Sequence, residues 1–429
     1  MKAWAQKLDN YIYYMLLFTV AVIPLEQEFT ALCVFVTFAC AVFAAAFGGV
    51  RKEAVLKKWQ QGALFLLLLI AWVSLRFSKD TFISTFNFIY VVGQYAAFGY
   101  VLLRYGWQRP VVFGADKELQ PATLKEKFFA LPRPVQLIGA FLTVSIFVSG
   151  LGIVQKFLGV TAEGVWVDPQ EFPELKVRVF STLVNPNILA GYLVLVVAYA
   201  AAFFNVFKDN LRRRGIFLAI GLLAAWCLLY TYSRGNGLAC AAVLLTFCAL
   251  FCHKAFVPVL GGGAAALAVG GSAVWHRLTS ILSGHDTSAA LRMAYLKSTQ
   301  WIIAEYPFGV GWYGYRFVYP TYNYYLADTS VIMYHCHNMF LNVLAELGWH
   351  GLAAFLLVWG IFIYNGWQLA WHGRAAWARA IGRGYVLAVI GIAVGGLTDH
   401  VYFNTQMGLL FWLLGLVTML ARKQNTFEP

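Results

Sequence analysis

The sequence predicts an all-α integral membrane protein, a bundle of about twelve transmembrane helices with one large helical loop outside the bundle. Three observations carry that prediction. Of 429 residues, 61% are hydrophobic and only 12% are charged, about half the charged share of a soluble domain. Mean hydropathy is +0.67, which excludes a disordered chain and argues against a soluble multidomain enzyme. The apolar residues also fall in long uncharged runs of helical density, without the alternation of a barrel strand. Backbone groups in lipid must be satisfied within the segment, so such runs select helices.

The runs lie at approximately 11–25, 29–48, 61–76, 82–103, 135–156, 187–207, 215–231, 237–252, 256–275, 340–366, 384–398 and 405–421. The first follows a short basic N-terminus, Met1 to Lys7, with no small-residue cleavage site directly after it, and reads as an uncleaved span. Connections alternate between two sides. With the N-terminus taken as cytoplasmic, 22 of the 32 Lys and Arg residues fall on that side and 10 on the other. The positive-inside rule then puts both termini in the cytoplasm. The net charge of +13 therefore sets orientation, and nucleic acid is not expected as a partner. Residues 1–429 form a single polytopic membrane domain. Two outer connections are long, at roughly 157–186 and 276–339.

The spans themselves look chemically inert. No internal repeat is visible, and no ionisable residue is expected at mid-span, which speaks against an ion-coupled carrier or a flippase. Gln94 is the main polar exception and suits an interhelix hydrogen bond. Six of seven Cys lie in apolar runs and Cys336 stands apart. With no CxxC, neither a zinc framework nor a disulfide scaffold is expected.

Function is therefore expected at the outer face. The loop 276–339 is too long for a structureless connection. It is rich in tyrosine between Tyr295 and Tyr334, with Trp301 and Trp312. Those rings suit either an interfacial belt or stacking against sugar rings. The run from His337 to Gly351 is the most specific. His337 and Asn338 open an apolar helix that Gly348 and Gly351 interrupt. A helix of about nine residues rises ~14 Å before that break, and the glycines allow a bend or close packing. A histidine at such a helix start, at the mouth of a bundle, suits a general base.

This run fits the pattern His-[Asn/Ser/Gln]-x9-Gly-x-x-[Gly/Thr/Tyr] of the O-antigen ligases, at His337, Asn338, Gly348 and Gly351. Ser233-Arg234-Gly235-Asn236-Gly237-Leu238 resembles that family's Arg-x3-Leu motif. Arg292, near Tyr295, resembles its second arginine. Pro307-Phe308-Gly309-Val310-Gly311 resembles its Pro-x-Gly-x-Gly segment, and Asn185-Pro186-Asn187 its Asn-rich start of a middle span.

The resemblance implies a GT-C-like bundle and a glycosyltransferase of the bacterial inner membrane, with its active site facing the periplasm. It implies transfer of O-antigen polysaccharide from undecaprenyl diphosphate to a lipid A-core sugar hydroxyl, as a step of lipopolysaccharide biosynthesis. An O-antigen polymerase of similar topology is the closest alternative. The protein O-oligosaccharyltransferases carry a further C-terminal domain, and the sequence stops at Pro429 soon after its last span, so that branch is not expected.

The roles expected are His337 as general base and Arg234 and Arg292 as the diphosphate grip, because a guanidinium fork binds phosphate oxygens bidentately and stays charged. Asn338, Gly348, Gly351 and Asp399 support them. Each has a plainer alternative. Arg234 could snorkel at a span end, and Arg292 could pair with Asp286. Asp399 could orient a base, hold an arginine or merely cap a turn. Arg316, Lys297 and Lys79 are further phosphate candidates. No metal or other cofactor is expected. Glu26 and Glu28 are a possible acidic pair, but two Glu in a tight turn need no ion. The His335-Cys336-His337 segment lacks a second ligand pair at zinc spacing.

Overall fold

The computed structural model describes residues 2–47, 53–108, 123–160, 177–265, 268, 287–323 and 332–426. The described residues are helical with no strand. Early helices are α1 (Lys2–Val22), α2 (Gln27–Ala46), α3 (Lys58–Ser74), α4 (Thr81–Tyr105), α5 (Leu124–Phe129) and α6 (Arg133–Leu158). Then come α7 (Pro186–Val206), α8 (Leu211–Thr231), α9 (Arg234–Leu250) and α10 (256–265). The outer loop supplies α11 (Thr287–Glu305) and α12 (Tyr315–Val318), and the chain returns through α13 (Met339–His372), α14 (Ala376–Thr398) and α15 (Thr405–Asn425).

Each predicted span falls on a helix, although 256–275 lies partly outside the described residues. Among the described residues, nine helices are long and apolar enough to cross a membrane, and the chain is a multi-pass membrane protein. Three predicted spans fall outside those nine. The run 256–275 lies partly outside the described residues, helix α9 has only 17 residues, and α1 carries Lys2, Lys7 and Asp9 in its first turns.

Asparagine begins several helices at one end of the bundle. Asn185 Oδ1 accepts from the N–H groups of Asn187 (2.8 Å) and Ile188 (3.4 Å). Asn338 Oδ1 accepts from Leu341 N–H at 3.0 Å, and Asn404 Oδ1 from Met407 N–H at 3.2 Å. These side chains satisfy backbone donors that a helix start leaves free. Glu26 does the same for α2, accepting from the N–H groups of Glu28 and Phe29. Its carboxylate is therefore engaged as a cap, and those bonds hold its pKa below the usual value.

Helix α7 is the axis of the bundle. It is buried on almost every side and packs against α8, α9 and α14, while α14 also packs on α13 and α15. Small residues permit this contact. A Cβ on Gly384 would lie 2.6 Å from the Tyr199 ring, and one on Gly391 2.6 Å from Val194. Helices α2, α3 and α8 lie outside and expose rings such as Phe35, Phe65 and Trp226, as lipid contact requires.

One helix is deliberately broken. Gly348 interrupts α13 with φ +68° and ψ −177°. The break frees the carbonyls of Ala345 and Glu346, and the Pro307–Gly311 segment takes them up. Val310 N–H donates to Ala345 O at 2.8 Å and Gly311 N–H to Glu346 O at 2.9 Å. The two chains meet without side chains between them. A Cβ on Gly309 would lie 2.3 Å from Glu346 O, and one on Gly348 2.5 Å from the Phe308 carbonyl carbon. Just past the break, a Cβ on Gly351 would lie 2.2 Å from that of Leu347. The glycine pattern thus builds a joint between the outer loop and α13. Gly311 and Trp312 then dock on the α3–α4 turn, where Trp312 N–H donates to Ser74 Oγ at 3.0 Å.

Two expectations are corrected here. Glu346 is an ionisable residue buried within α13, so the spans are not free of such groups. Its carboxyl faces the backbone N–H groups of Tyr313 and Tyr315, which offset only part of the cost of its burial. Four of the described tyrosines form neither a belt nor sugar platforms. Tyr295, Tyr315, Tyr319 and Tyr322 are buried in a separate core with Ile302, Val310 and Val318. Their faces pack on one another, with Tyr315 and Tyr319 stacked at 5.6 Å. Tyr334 and Trp301 remain exposed.

Candidate active site

The site lies where the starts of α7, α9 and α13 meet the end of α14. Asp399 is its centre. It follows the last turn of α14 in extended backbone, with φ −159°. Its Oδ1 lies 2.8 Å from His337 Nδ1 and accepts the His400 N–H at 2.8 Å. Its Oδ2 accepts from Asn187 Nδ2 at 3.1 Å, and Arg292 Nη2 stands 4.0 Å from the same oxygen.

A carboxylate is an acceptor only, so this contact puts the His337 proton on Nδ1 and leaves Nε2 with a free lone pair. Burial would push the Asp399 pKa up. The hydrogen bond from His337 and the Arg292 guanidinium oppose this, and the carboxyl is held below the usual range. Asp399 is thus placed to orient the His337 ring, and the same oxygen accepts the N–H of the residue that follows it.

His337 is held on three sides. Its φ of +55° is a left-handed conformation uncommon outside glycine, costing on the order of 1–3 kcal/mol. Its N–H donates to His335 Nδ1 at 3.2 Å. The Tyr295 ring stacks on its imidazole at 5.3 Å and 21°. Its side chain is still 27% exposed, so the ring is reachable. Asn338 both caps α13 and donates from Nδ2 to Leu397 O at 3.1 Å, tying α13 to the end of α14.

Two more histidines back the site. His335 and His400 are buried, with their rings 5.6 Å apart. Burial, reinforced by His337 and His400, pushes His335 well below its ordinary pKa, with Asp399 opposing. Burial likewise brings His400 down to about 4, although Asp399 pulls it up. Both are neutral at physiological pH. Along the sequence His335 enters only through the His335-Cys336-His337 zinc reading, and His400 has no local spacing signal.

The arginines differ. Arg292, on α11, has Asp399 beside it as an acidic neighbour, and Asp286 lies outside the described residues. Arg234 opens α9, half-buried, and its neighbour Gly235 abuts the end of α14. A Cβ there would lie 2.1 Å from Thr398 Oγ1. Both arginines thus belong to the same end of the bundle as Asp399. Arg316 is caged by the rings of Tyr313, Phe317 and Tyr334 at 4.8–5.2 Å and donates to Tyr313 Oη at 2.8 Å. Lys79 reaches Thr321 Oγ1 at 3.5 Å, and Lys297 is exposed on α11.

His335, His337 and Asp399 also offer three ligand atoms within 4.8 Å of one another. Asp399 is the group that spacing along the chain did not supply. The trio suits hydrogen bonding better than a metal. His335 Nδ1 already accepts from His337 N–H, and both Asp399 oxygens have partners. The Arg292 guanidinium also opposes a second cation.

Beside the site, a cavity of about 430 Å³ lies between α3, α4, α13 and α15. Trp312, Tyr334 and His400 line it toward the site, and Leu103 and Leu416 line its depth. Its walls are largely apolar, with Asn87, Asn342 and Glu346 as polar exceptions.

No curated protein matches the chain. Residues 219–356 match the sequence model of the O-antigen ligase family. That stretch runs from α8 through the break in α13 and contains Arg234, Arg292, His337, Asn338, Gly348 and Gly351. Asp399 lies beyond it, brought in by the fold. Over that stretch, about a third of its length, the chain is similar to the O-antigen ligase family.

Proposed function

We propose that this protein is an O-antigen ligase, transferring O-antigen polysaccharide from undecaprenyl diphosphate to a lipid A-core sugar hydroxyl at the periplasmic face of the inner membrane. The observation that carries the reading is the 2.8 Å contact between His337 Nδ1 and Asp399. It leaves Nε2 as a base on a half-exposed ring. The acceptor hydroxyl gives its proton to Nε2 while its oxygen forms a bond to the donor's anomeric carbon. The bond from that carbon to the diphosphate oxygen breaks, and the electron pair leaves on the diphosphate. One displacement inverts the anomeric centre. Arg234 and Arg292 bind the diphosphate and stabilise its developing charge, so no metal is required. The apolar cavity suits the lipid tail of a substrate held at the site.

The test is a reconstituted assay with undecaprenyl diphosphate-linked O-antigen, run with and without chelator. Lipid A-core and lipid-linked repeat units are offered separately as acceptors. Transfer to lipid A-core, unaffected by chelator and lost in a folded His337→Ala variant, is expected; a base of this kind is worth about 10²–10⁴-fold. Extension of lipid-linked units in place of lipid A-core would make the protein a polymerase. Full activity of His337→Ala would remove the base assignment, and absence of any covalent product would favour a flippase.

A further inference from the structure

The proposed base depends on Asp399, and Asp399 is itself held by a chain of groups that the reaction never touches. Asn187 Nδ2 donates to Asp399 Oδ2 at 3.1 Å. Its Oδ1 accepts from Arg178 Nη2 at 2.9 Å, and its backbone carbonyl accepts from Asn236 Nδ2 at 3.2 Å. Arg178 is buried and is anchored in turn, donating from Nε to Thr231 O at 2.8 Å. An amide can face either way, but an arginine only donates. Arg178 therefore selects the amide oxygen, and the NH2 is left for Asp399.

From this network we propose that Asn187 is a positioning residue for the reaction, with Arg178 fixing the orientation of its amide. The inference rests on the reading of His337 as the base. Asn187 occupies one carboxylate oxygen so that the other stays on His337. The partners facing Asp399 are otherwise His337 and His400 from the flanking turns, His335 behind them, and Arg292 from α11. Arg292 is the more distant of the two groups at Oδ2, which leaves Asn187 as the close one. Asn187 also lies in the first turn of α7, whose cap is the separate residue Asn185. Its side chain is thus not needed to start that helix.

The isosteric variant Asn187→Asp separates positioning from packing. It keeps shape, keeps a partner for Arg178, and suits a helix first turn electrostatically. It also replaces the donor with a second carboxylate beside Asp399, which two like charges resist. Asn187→Ala only removes the donor and leaves room for water.

Initial rates with the lipid diphosphate donor are compared across wild type, both variants and His337→Ala, with thermal midpoints as a check on folding. The expected result is a fall in kcat of about 10-fold in Asn187→Ala and about 100-fold in Asn187→Asp, following the strength of charge-assisted hydrogen bonds. KM stays within about threefold of wild type, since only a group oriented for the chemical step is lost. The thermal midpoint of each variant stays high enough for the protein to remain folded at the assay temperature.

Asn187→Asp at least as active as Asn187→Ala, with His337→Ala inactive, overturns the positioning role and leaves the base assignment standing. A folded, fully active His337→Ala overturns both. Should Asn187→Asp fail to insert, Arg178→Gln carries the test, because glutamine can accept as well as donate and no longer selects the amide. Its kcat is expected to fall about 10-fold at unchanged KM, and a wild-type kcat would overturn the proposal.

Discussion

His337 has two unlike walls. On one side stand the ends of membrane helices, where Asn187, Asp399 and His400 form a polar network. On the other stands the outer loop, where Tyr295 lies over the imidazole and leans on Tyr319 at 5.9 Å. The polar wall uses directed bonds, so it can decide a tautomer and a charge. The aromatic wall uses area and shape, so it can hold a ring in place and keep water away. Directed bonds to a buried charge are costly to lose one at a time. Ring packing is distributed and degrades gradually. Chemistry should therefore fail abruptly on one side and gently on the other.

The largest effect should come from the polar wall. Asp399→Ala is expected to lower kcat about 10²–10⁴-fold, the usual worth of an oriented base, with KM within about threefold. Steady-state rates in the reconstituted assay decide this. A loss of under tenfold would erase the contrast between the walls.

The same wall sets an acid limit to stability. His400 is brought from its ordinary 6.5 to about 4, so the unfolded chain binds a proton there that the folded chain refuses. Stability is therefore full above about pH 6.5 and falls as pH drops toward about 4. Across that window the loss is about 3 kcal/mol for His400. His335 acts with the same sign. Asp399, with its pKa held low, keeps its contribution throughout and loses it only at more acidic pH. Thermal midpoints in detergent should fall over this range and fall less steeply in His400→Asn. Equal slopes would show that His400 is not buried neutral.

Much of the site was legible along the chain because parts of it are local. A histidine, an Asn cap and two glycines at helical spacing mark His337, Asn338, Gly348 and Gly351 within a single run. Other parts depend on distant residues. The Asn187–Asp399 bond joins residues 212 positions apart, and no spacing rule links them. Arg292 and Asp286 are close in sequence, whereas the fold puts Asp399 beside Arg292. No local pattern marks Arg178. The twelve apolar runs mark helices well, but composition does not say which helix is central. Helix α7 is enclosed while α2 faces outward, and both are apolar. The tyrosines carry a related ambiguity. A ring suits a lipid interface, a sugar or a small core equally, and only tertiary packing decides.

The arginines should separate binding from chemistry. Arg234→Ala and Arg292→Ala are each expected to raise KM for the lipid diphosphate donor about 10-fold, for one charged hydrogen-bonding group lost. Arg292→Ala should also lower kcat modestly, since it stands beside Asp399 at 4.0 Å. Donor titrations at saturating acceptor measure both. Unchanged donor KM in both variants would remove the diphosphate assignment.

The smallest effect belongs to the aromatic wall, and it is the sharpest test of the contrast. Tyr295 meets His337 through its ring face, so the hydroxyl is not part of the contact. Tyr295→Phe keeps the ring, and its kcat should stay within about twofold of wild type. Tyr295→Ala removes a stacked neighbour worth ~0.5–1.5 kcal/mol beyond its area, which corresponds to about a 2–12-fold loss in kcat. The imidazole would then sample more orientations, while Asp399 still fixes its tautomer. The two variants should therefore differ in the size of kcat, and neither should change donor KM. If Tyr295→Phe instead fell as far as Asp399→Ala, the phenol would be acting on the reacting atoms. The aromatic wall would then carry chemistry of its own, and the division between the two sides of His337 would not stand.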